Sequence, residues 1–72
     1  AIGRETAEAL AASFQELSEE HREVITLARI VQLPHAEIAL SMKRSEAAVR
    51  QLLVRALLQL AQQLKRRGVV LD

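Results

Sequence analysis

Apolar residues recur along this chain in four blocks, each with a helical rather than a strand period. In the first, Ala7, Leu10, Ala11, Phe14 and Leu17 fall at i, i+3, i+4, i+7 and i+10. That spacing predicts a helix from about residue 4 to 16 with those side chains on one face. Arg4, Glu5, Glu8, Ser13, Gln15 and Glu16 mostly line the other faces. In the second block Ser18 is a natural N-cap, and Glu19 and Glu20 occupy the first turn, where acids suit the helix dipole. Val24, Leu27, Ala28 and Val31 form its main stripe, widened by Ile25, over a helix from about 19 to 31.

Pro34 opens the third block. A proline loses nothing in a first turn, whereas Leu33 before it is pushed out of helical geometry. A short helix is predicted over about 35–41, with Ala36, Ile38, Ala39 and Met42 toward the core. Ser45 caps the fourth and longest block, whose stripe is Val49, Leu52, Ala56, Leu57, Leu60 and Leu64. Arg66 and Arg67 suit its C-terminus, Gly68 is expected to stop it, and residues 69–72 are expected to form a frayed tail. The expected fold class is all-α, about four helices in one domain over residues 1–72, with a C-terminal helix-turn-helix and a long recognition helix.

The pairing of a short helix with a long one across Lys43-Arg44-Ser45 carries the functional signal. Small residues let two such helices cross closely, and Ala36 and Ala39 are placed for that. Val49 anchors the second helix early. Between cap and anchor, and just beyond it, Glu46, Ala47, Ala48, Arg50 and Gln51 are free to face outward. That end of a recognition helix meets base edges. Arg50 can donate to guanine or phosphate, and Gln51 can pair with adenine. Lys43, Arg44 and Arg55 lie where phosphate contacts would help.

Charge sharpens this picture. The formal net charge is only +1, yet the chain carries three basic against seven acidic residues up to Met42, and seven basic against two acidic from Lys43 onward. The basic half is the half that holds the turn and the long helix, as a polyanion partner requires.

The ordered set Leu17, Arg22-Glu23-Val24, Leu33, Glu37-Ile38-Ala39, Ser45-Glu46, Val49-Arg50 and Arg55-Ala56-Leu57 resembles region four of bacterial sigma factors, most of all the extracytoplasmic-function group. The resemblance covers residues 16–60. It implies a domain that reads the −35 promoter element in the major groove and docks on the flap of the RNA polymerase β subunit. An anti-sigma factor is a further partner it implies. On this reading Glu46, Ala48, Arg50 and Gln51 face bases, while His35, Lys43, Arg44, Ser45 and Arg55 position the backbone. Departures are visible. Lys43 stands where the family usually has glycine, so it is expected to take a left-handed conformation at some cost. Pro34 replaces a Ser/Thr cap, Val54 stands where a histidine is often found, and Leu58 replaces a basic residue. Nothing resembles region two, the part that opens the −10 element, and a start at Ala1 fits a piece excised from a longer chain.

A rival reading keeps the helix-turn-helix as a scaffold. Leu53, Val54 and Leu58 lie off the main stripe and would form an apolar strip for RNA polymerase, a regulator or a second copy. The response-regulator type of helix-turn-helix shares Glu37-Ile38-Ala39 but has a shorter last helix region. Enzymatic chemistry has no foothold, since there is neither a Ser/His/Asp set nor a glycine-rich phosphate loop. His21 and His35 are lone histidines on different helices in a chain without cysteine, so no metal and no cofactor is expected. No apolar run is long enough to span a membrane, and a cytoplasmic location is expected.

Overall fold

The computed structural model describes residues 3–69. Among them the chain forms α1 (Arg4–Gln15), α2 (Glu19–Ile25), α3 (His35–Met42) and α4 (Glu46–Arg66), with α2 prolonged by a π-helical turn over Thr26–Ile30. All the regular structure among the described residues is helical. At about 1.5 Å per residue the 21 residues of α4 run for about 31 Å, which sets most of the 36 Å long axis of the molecule. Both α2 and α3 pack on α4, and α1 packs on it from a third direction. No helix among the described residues is long and apolar enough to cross a membrane.

Helix starts follow the local chemistry. Ser18 Oγ accepts the His21 N–H at 3.2 Å, and Ser45 Oγ accepts the Ala48 N–H at 3.1 Å. Each satisfies one of the donors that a helix start leaves open. Pro34 sits at the cap itself, one residue before α3, with extended ψ.

Helix ends divide into two expected cases and one other. Gly68 has φ +82° and closes α4 in a Schellman motif: Val69 N–H bonds Leu64 C=O, and Gly68 N–H bonds Lys65 C=O, both at 3.0 Å. Lys43 closes α3 in the same way with φ 57°, as Arg44 N–H bonds Ala39 C=O at 2.9 Å. The left-handed conformation expected at Lys43 is therefore present, without a glycine. Gln32, at φ 64°, ends the π turn, where Val31 N–H reaches back to Thr26 C=O at 2.9 Å.

The core is Leu17, Val24, Ile25, Ile38, Ala39, Val49, Leu53 and Ala56. Ile38, Val24 and Val49 are fully buried, so α2, α3 and α4 meet at three branched side chains. Leu64 is buried further along α4.

Four expectations are corrected here. On α1, Ala7, Leu10 and Ala11 are exposed, whereas Ser13, expected outside, is fully buried. The Ser13 hydroxyl has no hydrogen-bond partner among the described residues. Val31 is 54% and Ile30 70% exposed, because the wide π turn shifts the helical register after Ile25. Ala36 is exposed, leaving Ala39 as the small residue at the α3–α4 crossing. Leu53, offered as part of a surface strip, is only 6% exposed and belongs to the core.

Arg22 has a structural task that spacing did not reveal. Its Nη1 donates to Leu17 C=O at 2.6 Å and to Gln15 C=O at 3.1 Å. It thereby ties α2 to Gln15 C=O at the end of α1, where helix carbonyls lack intrahelical partners, and to Leu17 C=O in the connection between the two helices.

Candidate nucleic-acid interface

The interface is built on α3, its left-handed turn and the first half of α4. Val49 is buried against the α3 side and fixes the rotation of α4. Residues on the opposite side of that turn must then project outward, and Glu46, Ala47, Arg50 and Gln51 are all exposed. One turn further on, Val54 and Arg55 are exposed as well. Arg50, Gln51, Val54 and Arg55 together line a shallow hollow of about 330 Å³. Ala48 is half-buried, with its N–H bound to Ser45 Oγ. His35 is half-buried at the first position of α3.

The cations are not equivalent. Arg44 is ion-paired to Glu20 at the start of α2, and Arg67 to Glu16 at the end of α1. Lys43, Arg50 and Arg55 have no ion-pair partner among the described residues. Among the cations of the turn and the first half of α4, these three are free to meet phosphate or base. Arg44 must exchange a carboxylate for a phosphate before it can contribute. The acidic residues Glu19, Glu20 and Glu23 flank Arg44 around another hollow, so part of the basic charge legible in the sequence is locally compensated.

Lys43 combines backbone and charge effects, which predicts opposed outcomes for one substitution. Lys43→Gly should raise stability by about 0.5–1 kcal/mol, the left-handed penalty of an L-residue less the extra chain entropy of glycine. The same change should weaken DNA binding on all sequences alike and flatten its salt dependence, as removal of one positive charge from the turn requires. Urea denaturation and a salt titration of affinity measure the two effects separately.

The site thus consists of a short helix, a tight turn and a long helix with an outward polar face. Residues 7–60 match the family described as Sigma-70, region 4. The chain belongs to the sigma-70 region 4 family. That family comprises helix-turn-helix DNA-binding domains of transcription sigma factors, and association with RNA polymerase is part of what it implies. No curated protein and no solved structure matches the chain.

A second surface of this region 4 domain escaped the pattern of the sequence. Leu10, Phe14, Ile25, Ile30, Leu57 and Leu60 line an apolar groove of about 630 Å³ between α1, the π turn and α4, with Arg29 also on its wall. Spacing assigned most of these residues to core stripes. The only sequence signal for a groove was that apolar positions on α1 and α4 outnumber what one narrow stripe needs. Of the proposed surface strip, Val54 at 57% and Leu58 at 59% exposure remain on the outside after Leu53 turns inward.

Proposed function

We propose that this region 4 domain reads the −35 promoter element as the DNA-binding module of a sigma factor of the extracytoplasmic-function group. The observation that carries the reading is the outward face of α4, where exposed Arg50 and Gln51 stand beside the unpaired cations Lys43 and Arg55. Glu46, Ala48, Arg50 and Gln51 face base edges in the major groove, the N-terminal part of a recognition helix being the part that enters it. Lys43, Ser45, Arg55 and His35 hold the sugar–phosphate backbone, joined by Arg44 once Glu20 releases it. The domain acts as one folding unit within a longer factor, whose other parts open the promoter.

Selection from a random duplex pool at low salt tests this. The chain should enrich a short motif, and its affinity for that motif should fall steeply as salt rises. Retention of all duplexes alike, or of none by a folded protein, would remove the base-reading role.

The apolar groove favours a second task for the same domain, docking on a protein. The family implies RNA polymerase as a partner, and on this reading the groove docks on its β flap, with an anti-sigma factor competing for the domain. Such binding would show weak salt dependence, which separates it from the DNA contact.

A further inference from the structure

We propose that Val54, one turn of α4 beyond Arg50, is a specificity-determining residue, its isopropyl group packing on the 5-methyl group of a thymine in a base pair neighbouring the one contacted by Arg50. The inference rests on the promoter-reading function proposed above. Val54 is 57% exposed, and it shares its hollow with Arg50, Gln51 and Arg55. It follows Arg50 by four residues and Gln51 by three, so all three share one side of α4. Along the helix axis it lies about 6 Å beyond Arg50, less than two base-pair steps at about 3.4 Å each. A base contact by Arg50 therefore brings Val54 over a neighbouring base pair.

The chemistry narrows what Val54 can read. It neither donates nor accepts a hydrogen bond, and the thymine methyl is the apolar feature that base pairs present in the major groove. Its flanks argue against a protein partner at this point. Arg50 and Arg55 would both lose water beneath an apolar protein surface, whereas in a groove phosphates and guanine meet them.

The test uses the motif selected by the wild-type chain, with each thymine replaced in turn by uracil, which removes only the methyl group. At one position the wild type should lose about three- to fourfold in affinity, the effect of one methyl group withdrawn from an apolar contact. Val54→Ala should bind the thymine duplex correspondingly less well and no longer distinguish thymine from uracil at that position. Its helix content should be unchanged, because the side chain is outside the core. Three results would overturn the proposal: a selected motif without thymine, indifference of the wild type to every uracil, or a uracil effect that persists undiminished in Val54→Ala. In each of these the base-reading function itself survives. A wild type that selects no motif defeats that function and the thymine contact together.

Discussion

Ile38→Ala is expected to destabilise the domain by roughly 2–5 kcal/mol, the range for truncating a fully buried branched side chain. Ile38 is 0% exposed and belongs to the one core cluster shared by α2, α3 and α4. For a chain of 72 residues the whole stability is on the order of 4–11 kcal/mol, so this single change removes a large share of it. Chains of this size bury a smaller fraction of their surface than larger domains do, and this one has no disulfide to compensate. In urea the midpoint should fall while the slope stays the same, the sign of lost stability without a changed mechanism of unfolding. DNA binding should decline only in proportion to the folded fraction, because Ile38 touches the interface through α4 and not directly. A loss below about 1 kcal/mol would mean that the α3–α4 crossing is held mainly by other residues.

Arg50→Ala is expected to weaken binding to the selected motif by roughly 5- to 150-fold, or 1–3 kcal/mol, if the guanidinium makes a bidentate contact to guanine. The side chain is exposed on α4, has no ion-pair partner among the described residues and stands directly after the anchoring Val49. Nothing in the free domain has to be broken to deploy it. The loss should be confined to duplexes carrying the preferred base. Arg55→Ala should behave differently, lowering affinity on all sequences and reducing the salt slope by about one. Comparing the two variants on matched and scrambled duplexes at several salt concentrations separates base reading from phosphate holding. Equal losses for Arg50→Ala on every sequence would place Arg50 among the phosphate contacts.

Local chemistry made the helix order legible. Ser18 and Ser45 cap the helices they were expected to cap, Gly68 ends α4, and the left-handed turn at Lys43 is where the helix-turn-helix needs it. Each of these depends on neighbours within a few residues. The region 4 resemblance was legible for the same reason, being an ordered run of such local features, and the family match extends it back to residue 7. The candidate base-facing residues were readable because burial of Val49 dictates the direction of Glu46, Arg50 and Gln51 through helical geometry alone.

Rotation and pairing across the fold were settled only in three dimensions. Periodicity names the residues that share a helix face, but α1 carries small or apolar residues on more than one face, and packing turned Ser13 inward and Leu10 toward the groove. A single π turn, invisible to a fixed helical period, left Ile30 and Val31 exposed. On α4, apolar side chains occur at Leu52, Leu53 and Val54 in succession, and only the placement of α2 and α3 decides that Leu53 is core and Val54 is surface. Arg44 looked as free as Lys43 until the fold brought Glu20 against it. The sequence by itself determined which helices form and where they begin, because those are short-range properties of the backbone. The tertiary structure decided which apolar residues remain outside and which cations remain unpaired, because both depend on elements far apart in the chain.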